Sequence, residues 1–361
     1  MALDRIMISR FRNHRETVLE GTARFNLLFG ENGAGKTNVL EAISLLAPGR
    51  GLRRAQLSDI PQNPGPGGFA VSADLLSAAG AVRLGTGIRA ERPGRRLVQV
   101  NQAEVPALRL AEWLSLGWLT PAMDRLFMEG PAARRRLLDR LVLALDPVHA
   151  RNSARLEAAL RERNRLLADP RDADAAWMDA IEEQIAEAGA LVCNARATLV
   201  QRLNGALAAV PETPFALPEL FYQPGGPAAP EELAAILRRS RRRDRAAQRT
   251  LTGPHRDELI VTMAGKGQPA AECSTGEQKA MLIAITLAHA GLGAQAAERP
   301  ALLLLDEVAA HLDPLRREAL FDRLRGGAAQ VWLTGTELAP FSGIVGEAAV
   351  WRTSGGTVER L

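Results

Sequence analysis

Phe25-Asn26-Leu27-Leu28-Phe29 runs into Gly30-Glu31-Asn32-Gly33-Ala34-Gly35-Lys36-Thr37, and Val39 to Leu46 then carries apolar residues at helical spacing. The first segment is a short apolar run ending at a glycine, as a buried strand feeding a loop does. The second fits the pattern G-x-x-x-x-G-K-[ST]. Strand, glycine loop and helix, in that order, are the context that gives this pattern a mechanism. Glycines let backbone N–H groups turn inward onto phosphates, and the helix N-terminus adds its partial positive charge. On this reading Gly30 to Thr37 bind ATP, with Lys36 reaching the β- and γ-phosphates and the Thr37 hydroxyl ligating Mg2+.

A second cluster of chemistry lies far along the chain. Ala301-Leu302-Leu303-Leu304-Leu305-Asp306-Glu307 is an apolar strand ending in two acids. Carboxylates at the edge of a core are costly unless a cation meets them. Asp306 is therefore expected to complete the Mg2+ shell and Glu307 to polarise the attacking water. Upstream, Ser274-Thr275-Gly276-Glu277-Gln278-Lys279 opens a helix running to about His289. A plain N-cap explains that Ser and Glu locally, but not their placement some thirty residues before the acidic strand. His311-Leu312-Asp313-Pro314 follows that strand, and Val331-Trp332-Leu333-Thr334 reads as another apolar strand.

Composition sets the outer bounds. The chain has 361 residues, 47% of them hydrophobic, which is enough for two or three lobes and a large core. No apolar run approaches the ~18 residues of a membrane span. The N-terminus enters a strand-like segment without a charged-then-apolar export signal, so a cytoplasmic protein is expected. Cys193 and Cys273 are too few for a disulfide framework, which fits a reducing compartment. The net charge of +4 is compatible with nucleic acid but weak support for it. Only Lys36, Lys266 and Lys279 are lysines among the 45 basic residues, and a codon bias toward Arg accounts for that ratio as well as any function does.

The intervening segment has a different texture. Leu137, Leu138, Leu141, Val142 and Leu145 recur at helical spacing before Asp146-Pro147. A second helix is expected from Val148 to before Pro170. A third carries the stripe Ile181, Ile185, Ala188, Val192, Ala195, Leu199 and Leu203. Such stripes are usually core, and together they make an inserted helical lobe with an antiparallel helix pair.

The order phosphate loop, Ser-x-Gly-x-Gln, acidic strand and Leu-Asp turn resembles the split heads of the ABC-type ATPases in the SMC and RecF group. The insert is much shorter than in full SMC proteins, and no Cys-x-x-Cys hook is present. Further stretches resemble the bacterial RecF family: Ile8-Ser9-Arg10-Phe11-Arg12-Asn13, Gly49-Arg50-Gly51-Leu52-Arg53-Arg54, Leu119-Thr120-Pro121, Arg134-Arg135-Arg136-Leu137-Leu138-Asp139, and Thr252-Gly253-Pro254-His255-Arg256-Asp257-Glu258-Leu259. The resemblance runs from residue 3 to about 340. There are departures: Ala122-Met123-Asp124 stands where relatives carry an acidic pair, Glu277 where many have Gln, and Thr334 where transporter heads keep a His. The last is expected to weaken γ-phosphate sensing, in keeping with slow hydrolysis.

The resemblance implies an α/β fold, an ABC/SMC-type ATPase head with mixed sheets interrupted by the helical lobe. Residues 1–110 and 249–361 would form the head, and residues 111–248 the lobe. It implies an ATP-dependent homodimer in which Ser274 and Gly276 act in trans on the partner's γ-phosphate, with Asp313 at the seam. Arg12 and Asn13 would approach the nucleotide. The implied activity is weak, DNA-dependent ATP hydrolysis that releases DNA. The implied role is in recombinational gap repair, replication and SOS support: holding duplex beside single-strand gaps and helping RecR/RecO-type mediators load recombinase on single-stranded DNA. Nucleoid association would follow. Arg53 and Arg54 are the first candidates for the DNA surface, and Arg238, Arg239, Arg241, Arg242 and Arg243 a weaker set that is otherwise a solvated helix face. Two other readings stay open: a head-only ATPase governing a nuclease or toxin, and an ATP-binding protein without turnover. No nuclease-like cluster follows residue 315, and Glu307 argues against pure binding.

Overall fold

The computed structural model describes every residue except 1, 2, 78, 79, 170, 172, 173, 211–213, 296–298, 310 and 311. His311, in the turn quoted above, therefore lies outside the described residues. The chain forms two compact units. Residues 1–124, 211–215 and 282–361 make the first, and residues 125–210 and 216–281 the second.

In chain order the first unit begins with β1 (Leu3–Phe11), β2 (His14–Glu20), β3 (Phe25–Phe29), α1 (Lys36–Ser44), β4 (Phe69–Ser77), β5 (Gly80–Arg89), β6 (Arg92–Val100), β7 (Ala103–Glu104) and β8 (Ser115–Leu119). The second holds α2 (Pro131–Leu145), α3 (Val148–Ala168), α4 (Ala175–Ala208), β9 (Pro218–Gln223), α5 (Pro230–Ala246), β10 (Glu258–Met263) and β11 (Gln268–Pro269). Helix α6 (Thr275–Gln295) starts in the second unit and ends in the first. It is followed by β12 (Ala301–Leu305), α7 (Pro314–Gly326), β13 (Gln330–Gly335), β14 (Ala348–Ser354) and β15 (Thr357–Arg360).

Two six-stranded sheets build the first unit. One is antiparallel, in the order β2-β1-β4-β5-β6-β7. Its strands alternate buried and exposed positions, as β2 does along His14–Glu20. The other has the order β15-β14-β3-β13-β12-β8, and β14, β3, β13, β12 and β8 pair in parallel. Its central strands are continuous apolar runs because both faces are covered; all six residues of β13 are buried. Side chains of both sheets and of α1 share one core that includes Ile6, Leu40, Val71, Leu304 and the stacked pair Trp332–Trp351, 5.5 Å between centroids. In the parallel sheet β13 separates β3 from β12. The carboxyl ends of these three strands therefore lie side by side, where α/β sheets place their ligands.

The second unit contains the expected helix pair. Helices α3 and α4 run antiparallel, bridged by Arg155–Glu187 (3.6 Å) and Arg163–Glu182 (3.1 Å), over a core of Leu156, Leu160, Ile181, Ile185, Val192, Leu233 and Leu237. Arg163 is wholly buried, so its charge must be met inside. It donates to Glu182, Asp244, Thr250 and the Leu237 carbonyl. Arg238 and Arg241 of the arginine run are pinned to Asp179 on α4, and Arg241 also to Glu182. Those two arginines thus serve the packing of α5 on α4.

The stretch Thr252 to Leu259 is a structural knot. Asp257 is fully buried. Its carboxylate accepts from Arg196 Nη1 (2.7 Å), the Gly225 N–H (2.7 Å) and the Tyr222 hydroxyl. Its carbonyl accepts from Arg135 (2.7 Å), and Arg134 forms a two-pronged pair with Glu258. Burial and Asp257 together push the Cys193 thiol up to about 11, which leaves it inert. Removing one partner of a buried pair strands the other charge, at a cost of about 3–5 kcal/mol. Asp257→Ala is therefore expected to lose about that much unfolding free energy in urea titrations. A loss under about 1 kcal/mol would show that Asp257 is not the anchor of this segment.

Candidate functional site

The phosphate loop is shaped by positive backbone angles at Gly30 (φ 152°), Gly33 (φ 81°) and Gly35 (φ 116°), which side-chain-bearing residues rarely adopt. At Gly35 a Cβ would also come within 2.6 Å of His14 Nε2 and 2.8 Å of Asn13 Oδ1. The loop leads straight into α1, whose first residue is Lys36. The Lys36 side chain is buried and its ammonium donates to the carbonyls of Gly30 (2.7 Å) and Glu31 (2.9 Å), folding back over the loop. Burial lowers the Lys36 pKa, partly offset by the charges of Glu307 and Asp306.

The acidic strand meets this loop. Thr37 Oγ1 lies 2.9 Å from Asp306 Oδ1 and 3.2 Å from Oδ2, although 269 residues separate them. Thr334, on the intervening strand β13, donates to Asp306 Oδ1 (2.8 Å) and accepts the Glu307 N–H (2.9 Å). Burial raises the Asp306 pKa, with Glu307 adding to the rise, while Thr334, Thr37 and the charge of Arg53 work against it. Lys36, Thr37, Asp306 and Glu307 are thus gathered at the carboxyl ends of β3 and β12.

Arg12 and Asn13 sit beside the loop, held by the protein itself. The guanidinium of Arg12 makes a two-pronged pair with Glu41 (3.0 and 2.7 Å) and donates to the Asp59 carbonyl (2.7 Å). Asn13 donates to the Ala34 carbonyl (3.0 Å) and accepts from Asn38 (2.7 Å). Arg53 also reaches Glu41 (3.0 Å) and Asn38 (2.6 Å), while remaining 41% exposed. Arg54 is exposed and has a positive φ of 57°.

Two supports have no signal in the local sequence. Glu41, 1% exposed on α1, is the anion that Arg12 and Arg53 share. His14, fully buried, is 3.0 Å from the Gly35 carbonyl and 2.9 Å from Thr17 Oγ1. A neutral ring donating from Nε2 satisfies both contacts, and burial lowers the His14 pKa accordingly.

Ser274 and Gly276 belong to the second unit, whereas the loop and the acids belong to the first. Ser274 opens α6 in a reciprocal cap: Glu277 accepts from the Ser274 N–H (2.9 Å) and hydroxyl (2.8 Å), and the Glu277 N–H points at Ser274 Oγ (3.3 Å). Those hydrogen bonds hold the Glu277 pKa below its usual value. Gly276 is exposed, and among the described residues nothing beyond its chain neighbours and its own helix backbone lies within 4 Å of where a Cβ would stand. Asp313 caps α7 by accepting the Arg316 N–H (2.9 Å).

Fold and site define a nucleotide-binding ATPase head, and comparison with known proteins narrows it. The family described as RecF/RecN/SMC N terminal domain matches residues 2–337. The chain is 45% identical over 369 residues to the DNA replication and repair protein RecF of Mesorhizobium japonicum, covering 99% of this chain and 97% of that one. It is 43% identical to the protein of the same name from Brucella abortus, covering 99% and 95%. A solved structure of the recombination mediator protein RecF with ATP shares the fold, with a TM-score of 0.87 at 23% identity over 100% and 97% of the two chains. An SMC head bound to the winged-helix domain of ScpA is more distant, at a TM-score of 0.54 and 16% identity. The chain belongs to the RecF/RecN/SMC N-terminal domain family and, within it, to the RecF proteins.

The arginine clasp on Glu41 makes a stability prediction. Hydrogen bonds to a charged partner are worth about 1.5–3 kcal/mol. Glu41→Gln keeps the shape but gives up the charge, so it should lower unfolding free energy by about 1–3 kcal/mol in chemical denaturation. An unchanged midpoint would mean that Arg12 and Arg53 are held by other contacts.

Proposed function

We propose that this protein is an ATP-driven clamp for DNA repair and replication, in which ATP joins two copies and hydrolysis separates them. The observation that carries this reading is the meeting of Thr37 with Asp306 beside Lys36, with Glu307 next in the chain. A hydroxyl and a carboxylate are the hard oxygen donors Mg2+ prefers, and that ion takes its remaining ligands from phosphate and water. When bound, Mg2+ would neutralise charge on the β- and γ-phosphates.

The chain's own groups have assigned tasks. Backbone N–H groups of Gly30 to Thr37 hold the phosphates, Lys36 turns from its loop carbonyls to the γ-phosphate, and Glu307 orients water for attack. Ser274 and Gly276 act on the nucleotide of a second copy. The open space around Gly276 and its exposed cap support that assignment, since among the described residues no packing contact beyond its own helix calls for glycine there. Asp313 lies at the same seam. Arg53 and Arg54 contribute to a phosphate-backbone surface, which binds with little sequence preference and weakens with salt. The relatives' name, DNA replication and repair protein, and a solved relative described within the RecFOR pathway support DNA and mediator proteins of that pathway as partners. Duplex beside single-strand gaps, slow DNA-stimulated hydrolysis and a place at the nucleoid belong to the same reading.

Glu307→Gln tests the clamp. With ATP and Mg2+ it should elute as a dimer on sizing chromatography and retain gapped duplex, while wild type returns to monomer as ATP is consumed. A variant that stays monomeric with saturating ATP removes the two-headed site from consideration.

The pH dependence follows from the buried groups. Hydrolysis needs Asp306 ionised and Lys36 protonated, and kcat/KM reports the free protein. The Asp306 pKa lies above its ordinary 3.8, so activity should be lost on acidification at higher pH than an unperturbed Asp would give. The Lys36 pKa lies below its ordinary 10.5, so the alkaline limb should start early. An acid limb at or below pH 3.8 would contradict the burial argument.

A further inference from the structure

Thr334, which the resemblance sets against the histidine of transporter heads, has no task on that reading beyond weak sensing. Its surroundings give it one. It is 1% exposed at the carboxyl end of β13, the strand between the loop strand β3 and the acidic strand β12. One hydroxyl reaches both acids: its proton goes to Asp306 Oδ1 at 2.8 Å, and a lone pair takes the Glu307 N–H at 2.9 Å. Glu307 itself has φ 53°, in the left-handed region that non-glycine residues seldom enter. The backbone bend that aims its side chain is therefore secured by a side chain from the neighbouring strand.

We propose that Thr334 is a positioning residue for hydrolysis, fixing the direction of Glu307 and the orientation of the Asp306 carboxylate through this single hydroxyl. The proposal rests on the assignment of Glu307 as the group that orients water. It differs from a packing role in a way chemistry can separate. Valine matches the shape of threonine but can neither donate nor accept, whereas serine keeps the hydroxyl and loses only a methyl. With Thr334→Val, Asp306 Oδ1 keeps the Thr37 contact, while the Glu307 N–H loses its partner and the bend loses its tether.

The experiment uses full-length wild type, Thr334→Val, Thr334→Ser and Glu307→Gln. It reads ATP turnover, equilibrium affinity for a non-hydrolysable ATP analogue, and the thermal midpoint. Misplacing a catalytic group by a fraction of an ångström to an ångström costs up to about a hundredfold. Thr334→Val should therefore lose about tenfold to a hundredfold in kcat. Its affinity for the analogue should stay within about threefold, the mark of an interaction needed only in the chemical step. Thr334→Ser should keep turnover within about threefold of wild type. The proposal is overturned if Thr334→Val turns over normally, if Thr334→Ser falls as far as Thr334→Val, or if the loss appears in affinity alone. Should Thr334→Val lack a cooperative melt, Thr334→Ala is judged by the same criteria. Glu307→Gln separates the two layers of the argument. If it hydrolyses ATP as wild type does, the assignment of Glu307 fails; if only Thr334→Val is unaffected, the tether alone fails.

Discussion

A carboxylate at the end of a buried strand, Asp306, is the constraint on which the head depends. Burial disfavours its charge, and Glu307 beside it makes matters worse. The fold answers with hydroxyls from two separate segments, Thr37 after the phosphate loop and Thr334 on β13. Both can reach it only if β3, β13 and β12 pair in parallel and in register. Strand order, loop position and the electrostatics of the acid pair are thus one arrangement, and disturbing any of the three disturbs the others.

The same logic of meeting a buried charge recurs through the molecule. Glu41 on α1 is met by Arg12 and Arg53, tying the helix that carries the loop to the end of β1 and to the segment after α1. Arg96 turns its guanidinium on the Ala47 and Gly49 carbonyls just past that helix (3.1 and 2.5 Å), with burial lowering its pKa to about 10. In the second unit buried Arg163 donates four hydrogen bonds, and buried Asp257 accepts from Arg196, Tyr222 and the Gly225 N–H. Such ionic knots contribute less to net stability than to holding one geometry, because desolvation consumes most of the Coulomb attraction.

How legible this was depends on distance along the chain. The loop Gly30 to Thr37 is contiguous, so its glycines, lysine and threonine read directly. Asp306 and Glu307 stand out because acids at the end of a leucine run are anomalous. Helices α2, α3 and α4 follow from apolar spacing. The antiparallel sheet was far less visible: β6 opens on Arg92-Pro93-Gly94-Arg95-Arg96, where charge, proline and glycine mask the alternation. Arg53 reads as a free basic residue until the structure pairs it with Glu41 and Asn38. Arg238 and Arg241 read as a charged face until α4 supplies Asp179.

Sequence by itself determined the residue types available to this protein: a glycine-rich loop ending in a lysine and a threonine, a leucine strand ending in two adjacent acids, and a helical insert. These rest on local patterns, where the backbone conformation and the residue types sit within a few positions of one another. Tertiary structure alone decided which hydroxyls hold Asp306, what bends Glu307, and which arginines are already engaged. Each of those partners lies 12 to 269 residues away in the chain. No local periodicity encodes a hydrogen bond across such separations; only the order of strands in a sheet does.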